Sequence, residues 1–216
     1  MYKAVIFDLD GTLLNTIDDL ADAGNHVLSA MGLPTHETQE YRHFVGNGMP
    51  KLVERILPEQ NRGEATKALG LKMYIDYYTK HSYDKTAPYD GIVQMLANLK
   101  AAGVLLGVVS NKEDSITKNV IAHYFPNTFH IVSGHIPNTP TKPDPHLVVL
   151  MRETFGTSEA ETLYVGDSNV DMITAKNANL DGCGVLWGFR TQSELIEAGA
   201  RFIASEAGQI ETLVLK

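Results

Sequence analysis

Residues 4–14 read AVIFDLDGTLL, in which an apolar run leads directly into two acidic residues, Asp8 and Asp10. A short, continuous apolar run of this kind predicts a strand that is buried on both faces. Because side chains alternate along an extended chain, Asp8 and Asp10 point to the same side. Carboxylates are costly to bury without a partner. The stretch therefore predicts a functional site at the carboxyl end of the first strand.

Similar apolar runs recur through the second half of the chain and alternate with helical stretches. The runs, with the first strand, are residues 3–7, 104–109, 129–132, 162–165, 182–186 and, more weakly, 201–204. The helical stretches between them are residues 91–102, 113–124, 145–155 and 170–179. Apolar strands that alternate with helices are typical of a parallel sheet covered on both sides. The fold class predicted is α/β, a Rossmann-like parallel sheet with helices on both faces.

Residues 16–83 interrupt this alternation and contain no convincing strand. Thr16 and Asp19 have the spacing of a helix start, and the apolar residues that follow recur at helical intervals. Further helices fit residues 38–44, 50–56 and 64–81. The sequence therefore predicts two domains: an α/β core of residues 1–15 and 84–216, and an inserted all-helical cap of residues 16–83.

Composition limits the range of partners. The 216 residues are 44% hydrophobic and carry a formal net charge of -8, which argues against nucleic acid or an anionic membrane as a partner. The single cysteine, Cys183, excludes an internal disulfide. No run reaches the roughly 18 apolar residues that a membrane span needs, and no secretory pattern precedes the first strand. We expect a cytoplasmic protein that is a monomer or a homodimer.

Polar residues gather where the predicted strands end. Ser110, Asn111 and Lys112 follow the second long strand, Lys142 precedes a helix, and residues 166–171 follow a later strand. In open parallel sheets, ligands bind at the carboxyl ends of the strands. We therefore expect these groups to lie near Asp8 and Asp10.

The chemistry of this set points to a phosphate ester. Asp8, Asp10, Asp167 and Asp171 would repel one another and raise their own pKa values unless a cation lay among them. Oxygen ligands around an open site suit Mg²⁺, which shares its ligands with phosphate. A hydroxyl and a lysine can hold phosphoryl oxygens. One carboxylate can then attack phosphorus, and a second can transfer the proton.

These motifs resemble those of the haloacid dehalogenase-like (HAD) phosphohydrolase superfamily, in order and in spacing. They stand here as Asp8-Leu9-Asp10-Gly11-Thr12, Ser110-Asn111, Lys142-Pro143-x-Pro145 and Gly166-Asp167-x3-Asp171. The resemblance implies that Asp8 is the nucleophile and Asp10 the general acid and base. It also implies that Mg²⁺ is the cofactor and that a small-molecule phosphate ester is the substrate.

The same resemblance assigns the ligands. Asp8, the backbone carbonyl of Asp10, and Asp167 would bind Mg²⁺, and Asp171 would position the water molecules of the metal. Ser110 and Lys142 would bind the transferring phosphoryl group, and Lys142 would also restrain Asp8. The backbone N–H groups of Leu9 and Asn111 would be further phosphate donors. An acid at position 10 favours a phosphate ester over a carbon–halogen bond.

The cap is similar to that of phosphoglycolate phosphatases. Residues 44–48 read FVGNG and precede a predicted helix, whose free N–H groups suit an anion such as a substrate carboxylate. The tentative substrate residues of the cap are Arg42, Gly46, Asn47, Gly48 and Lys51. Residues 187–190, which read WGFR, are similar to the same group.

Other functions stay open at this stage. A sugar-phosphate phosphatase, a phosphomutase and a pyrophosphatase would share the core motifs. A phospho-receiver is a different class, whose phosphorylated aspartate would come from a central strand and which needs neither the helical insert nor the acid at position 10. A non-catalytic binding protein is a further alternative, and the intact set of motif residues argues against it. A calcium loop starting at Asp8 is rejected, because its sixth and twelfth positions hold Leu13 and Asp19 instead of glycine and glutamate.

Overall fold

The computed structural model describes all 216 residues, and six parallel strands form its main sheet in the order β5-β4-β1-β6-β7-β8. The eight strands are β1 (Ala4–Phe7), β2 (Leu14–Asn15), β3 (Ala87–Pro88), β4 (Leu105–Glu113), β5 (Ile131–His135), β6 (Thr162–Gly166), β7 (Asp181–Val185) and β8 (Phe202–Ala204). A separate two-stranded sheet consists of β2 and β3. The predicted α/β fold class is confirmed.

Ten α-helices accompany the strands. They are α1 (Ile17–Ala30), α2 (Thr38–Phe44), α3 (Met49–Ile56), α4 (Glu64–His81), α5 (Ile92–Ala101), α6 (Asp114–Tyr124), α7 (His146–Phe155), α8 (Asn169–Asn177), α9 (Gln192–Glu197) and α10 (Ala207–Leu215). No helix combines the length and the apolar character that crossing a bilayer requires. The sequence patterns predict eight of these helices and leave α9 and α10 unassigned.

The position of β1 explains where the polar groups meet. All four of its residues are fully buried, as the run AVIF predicts, and β1 pairs with β4 on one side and β6 on the other. Phe7 lies in register with Val108 of β4 and Val165 of β6. The residues that follow these three positions therefore lie at the same edge of the sheet, and Asp8 is the first residue beyond β1.

The chain divides into two compact units, one of residues 1–15 and 88–216 and the other of Thr16–Ala87. In the core unit, the side chains of Ile6, Val109 and Tyr164 share a buried cluster with Val148 and Met151 of α7. This packing fixes the strands that carry the polar groups.

In the unit Thr16–Ala87, α1 begins after Thr16, where the sequence places it, but the expected capping pair is absent. The Thr16 side chain makes no capping hydrogen bond. Asp19 turns instead to the end of the unit, where its carboxylate accepts hydrogen bonds from the backbone N–H groups of Lys85 and Thr86 and from the Thr86 hydroxyl, at 2.7–2.9 Å. Asp19 is only 1% exposed, so the first helix and the last segment of this unit are joined by a buried carboxylate.

We expect Asp19→Ala to destabilise the protein by about 3 kcal/mol, because it removes the carboxylate acceptor of the buried N–H and hydroxyl groups of Thr86 and of the N–H of Lys85. Chemical unfolding followed by circular dichroism measures the change. The matched control is Asp18→Ala, one residue earlier in the same helix, which removes a favourable helix-dipole interaction of about 0.5 kcal/mol and a solvent-screened attraction to Lys85. Equal losses in the two variants would contradict the role given to Asp19.

Candidate active site

Three carboxylates converge at the edge of the sheet. Asp8 follows β1, Asp167 follows β6, and Asp171 lies in the first turn of α8. All three are buried, and one oxygen of each lies within 4.8 Å of the others. The carboxylate of Asp10 is outside this cluster. The structure thus brings together three of the four predicted carboxylates.

Lys142 provides a positive charge within the cluster. Its Nζ lies 2.7 Å from Asp8 Oδ1 and 2.8 Å from Asp171 Oδ1. Burial on its own would lower the pKa of this lysine, but the two carboxylates outweigh burial and hold the pKa well above its usual range. Lys142 is therefore a permanent cation that joins the first motif to the last.

One lysine does not balance three carboxylates. Burial, with the neighbouring charge of Asp171 added, raises the pKa of Asp8 to about 7 even though Lys142 acts in the opposite direction. Burial, followed by the charges of Asp171 and Asp8, also raises the pKa of Asp167 well above its ordinary value. Buried oxygen donors that lack positive charge have the composition of a site for a hard divalent cation.

Asp167 is held by the loop that follows β7. The backbone N–H of Phe189 donates to its Oδ2 at 2.7 Å, and the hydroxyl of Thr12 donates to its Oδ1 at 3.2 Å. Two glycines make this approach sterically feasible. A Cβ at Gly188 would lie 2.2 Å from the Cβ of Asp167, and a Cβ at Gly11, where φ is +82°, would lie 2.3 Å from its Oδ2. The stretch WGFR, residues 187–190, thus supplies a backbone N–H donor to Asp167, and a motif defined by side chains does not predict it.

Asp171 is fixed on both oxygens. Its Oδ2 accepts hydrogen bonds from the backbone N–H of Ser168 at 3.0 Å and from the Ser168 hydroxyl at 2.6 Å, in a capping box at the start of α8. Its Oδ1 accepts from Lys142 and from the hydroxyl of Tyr164 at 3.3 Å. These four donors fix the orientation of the Asp171 carboxylate.

The second motif lies on an extension of β4. The pairing of β4 with β5 shifts register between Val109 and Glu113, and the intervening residues carry the motif. The side chain of Asn111 clasps the backbone of Lys142: Nδ2 donates to the Lys142 carbonyl at 3.1 Å, and the Lys142 N–H donates to Oδ1 at 2.8 Å. Asn111 therefore positions the lysine, a role that the motif alone does not reveal. Ser110 is buried beside it.

Lys112 is a second buried lysine, and the sequence alone assigns it no role. Its Nζ lies 2.5 Å from Oδ1 of Asp10. The sequence does place Lys112 near the site, because it directly follows Ser110 and Asn111 of the second motif. Its partner could not be identified without the pairing of β1 with β4.

The helical unit contains the predicted cap loop. Gly46 and Gly48 both have positive φ values, +115° and +82°, and Gly48 is the residue that precedes α3. The guanidinium of Arg55, which the sequence did not single out, donates to the side chain of Asn47 and to the Phe44 carbonyl, each at 2.9 Å. Arg55, which lies on the helix that follows the loop, thus holds the loop at Phe44 and Asn47.

The two predicted cap cations have different settings. Lys51 lies on α3 and pairs with Glu54, its Nζ 2.9 Å from Oε1, at a largely exposed position. Arg42 lies in the last turn of α2 and is partly buried.

Comparison with known proteins agrees with the motifs. The family model for haloacid dehalogenase-like hydrolases matches residues 5–185. A phosphoglycolate phosphatase from Mesorhizobium japonicum is 35% identical over 189 residues, which cover 86% of this chain and 83% of that protein. One from Psychrobacter arcticus is 33% identical over 194 residues, which cover 87% of this chain and 84% of that protein.

A solved structure is similar along almost the whole chain. It is the crystal structure of a proposed phosphoglycolate phosphatase from Lactobacillus delbrueckii subsp. bulgaricus, with a TM-score of 0.94 and 29% identity, and the match covers 99% of this chain and 98% of that one. The resemblance predicted from the motifs is confirmed. The chain belongs to the haloacid dehalogenase-like hydrolase family.

Proposed function

We propose that this chain is a Mg²⁺-dependent phosphatase that hydrolyses the phosphate monoester of a small molecule through an aspartyl phosphate on Asp8. The observation that carries the proposal is the buried carboxylate cluster with Lys142 bound to Asp8 and Asp171. The substrate that we propose is 2-phosphoglycolate. A sugar phosphate is the second candidate substrate, because the core motifs do not distinguish one phosphate ester from another.

Asp8 is the proposed nucleophile. Lys142 donates to its Oδ1, which leaves Oδ2 to approach phosphorus. The hydroxyl of Ser110 and the ammonium group of Lys142 are the proposed donors to the phosphoryl oxygens, whose charge grows in the transition state. Both residues are buried, so these donors act in a low dielectric.

The proposed metal ligands are Asp8, Asp167 and the backbone carbonyl of Asp10, with Asp171 placing the surrounding water. The raised pKa values of Asp8 and Asp167 support this assignment, because a cation would restore both groups to their ionised forms. When bound, Mg²⁺ supplies positive charge that offsets the charge of the phosphoryl group.

Asp10 is the proposed general acid and base. In the first half-reaction its carboxyl proton passes to the leaving oxygen as Asp8 bonds to phosphorus. In the second, the Asp10 carboxylate takes a proton from the water that cleaves the aspartyl phosphate. Its carboxylate lies outside the triad, which keeps this role separate from metal binding.

The substrate assignment rests on the cap loop and on the relatives. The relatives from Mesorhizobium japonicum and Psychrobacter arcticus are named phosphoglycolate phosphatases. Phosphoglycolate carries a carboxylate beside its phosphate ester, and the glycine-flanked turn at Asn47 precedes a helix N-terminus that favours an anion. Because Arg55 fixes that turn, its amide groups are already oriented for binding.

We expect Asp8→Asn to lower kcat at least about 1,000-fold, because an amide cannot attack phosphorus. Acid quenching during turnover should trap phosphate on the wild-type protein and none on the variant. The control is Asp90→Asn, an exposed aspartate of the same unit, which should keep wild-type turnover. Normal Mg²⁺-dependent turnover by Asp8→Asn would refute the nucleophile assignment.

We expect Mg²⁺ to raise the free energy of unfolding more at about pH 8 than at about pH 5. The pKa of Asp8 is raised from 3.8 to about 7 in the folded protein, chiefly by burial. Between these values the metal-free folded protein holds a proton that the unfolded chain has released. Its stability therefore falls as pH rises from about 4 to about 7, by on the order of a few kcal/mol. Above that window the ionised carboxylates bind the cation best.

Thermal unfolding in EDTA and in Mg²⁺ at the two pH values measures both effects. Asp8→Asn removes the titrating group, so its stability in EDTA should decline less between about pH 4 and pH 7 than that of the wild type. If Mg²⁺ left the wild-type melting temperature unchanged at about pH 8, the metal assignment would be wrong.

A panel of phosphate esters tests the substrate. We expect kcat/KM for 2-phosphoglycolate to exceed that for glucose 6-phosphate and pyrophosphate by at least about tenfold, since a site built for a carboxylate rejects substrates that lack it. Asn47→Ala should raise KM for 2-phosphoglycolate and leave KM for p-nitrophenyl phosphate, which has no carboxylate, nearly unchanged. A preference for hexose phosphates would favour the second candidate.

A further inference from the structure

A buried lysine contacts the proposed general acid. Lys112 is 4% exposed, and its Nζ lies 2.5 Å from Oδ1 of Asp10, a residue 102 positions away in the chain. Burying an ammonium group costs several kcal/mol unless a partner compensates. The contact with Asp10 therefore compensates for the burial of the Lys112 ammonium group.

Lys112 pairs with a different carboxylate from those that Lys142 contacts. The carboxylate triad already holds Lys142, which contacts Asp8 and Asp171. Lys112 pairs with the one motif carboxylate that lies outside the triad. The two lysines thus serve different carboxylates with different proposed jobs.

The backbone of Lys112 is fixed on both sides. Its N–H donates to the hydroxyl oxygen of Ser110 at 3.2 Å, and its carbonyl accepts from the hydroxyl of Thr117 at 3.2 Å. The neighbouring strand comes close only because residue 134 is glycine, where a Cβ would lie 2.7 Å from the Lys112 carbonyl. A side chain that starts from a fixed backbone can hold its partner in one orientation.

We propose that Lys112 is a positioning residue for the general acid, which it orients by holding Oδ1 of Asp10 so that Oδ2 carries the transferred proton. The inference rests on the proposed phosphatase reaction. In that step a bond forms from Asp8 to phosphorus, the bond from phosphorus to the ester oxygen breaks, and that oxygen takes the proton of Asp10. Asp10 is left as a carboxylate, paired with Lys112.

The leaving group distinguishes this role from a merely structural one. An alkyl alkoxide leaves only with a proton, whereas p-nitrophenolate leaves without one. Lys112→Met should therefore lower kcat/KM for 2-phosphoglycolate, or for the best alkyl ester of the panel, by roughly 30- to 100-fold. For p-nitrophenyl phosphate the loss should stay below about threefold. The ratio of the two values does not depend on how much of the variant folds, so partial misfolding does not hide the result.

A double-mutant cycle completes the test, with Asp10→Asn, Lys112→Met and the two combined. If Lys112 acts through Asp10, the second substitution adds no further loss of kcat/KM for the alkyl ester in the Asp10→Asn background. Lys118→Met is the matched control, because it breaks an exposed pair with Asp114 in the following helix and should change neither substrate.

Each outcome decides a different claim. Equal losses of kcat/KM for both substrates in Lys112→Met, with a leaving-group effect present in Asp10→Asn, would overturn the positioning role alone. The absence of a leaving-group effect in Asp10→Asn would overturn the proposed acid and, with it, this inference. Additive losses in the cycle would show that Lys112 acts without Asp10 and would also overturn the positioning role.

Discussion

The repulsion among carboxylates buried at one sheet edge is the constraint on which the site depends. Parallel pairing of β1 with β4 and β6 brings Asp8 and Asp167 together, and α8 adds Asp171. Burial, with the neighbouring charge of Asp171 added, raises the pKa of Asp8 to about 7 despite Lys142. The cluster therefore lacks positive charge. A cation bound among the three carboxylates would stabilise their ionised forms and would also attract the negative charge of a phosphoryl group.

Much of the surrounding structure serves to hold these charges in place. Asn111 clasps the backbone of Lys142, and the Phe189 N–H holds Asp167. Gly11 and Gly188 contribute by having no side chain, since a Cβ at either would collide with Asp167. Such positions react with nothing, yet the distances between reacting atoms depend on them.

The sequence predicted what is local or periodic, and it could not predict pairings across the chain. The run AVIF gave β1, and helical spacing gave α4 with its observed bounds, Glu64–His81. Residues 110–113 are polar, so the apolar pattern predicts a strand that ends at residue 109, whereas the structure extends β4 through them. The contacts of Asp19 with Thr86 and of Lys112 with Asp10 span 67 and 102 residues. The local sequence around each residue does not predict its partner.

In the proposed reaction, the core contains the reacting groups and the helical unit contains the candidate substrate-binding loop. In the reaction that we propose, the groups at the sheet edge act on a phosphoryl group, a proton or a cation, and these are common to all phosphate monoesters. The residues that we propose for substrate selectivity are therefore outside this set, in the loop at Asn47. There Lys51 is already paired with Glu54, whereas Gly46 and Gly48 shape a backbone that Arg55 fixes. Recognition by oriented amides, as proposed, depends on loop geometry more than on net charge, so we expect a substitution at Arg55 to change substrate selectivity.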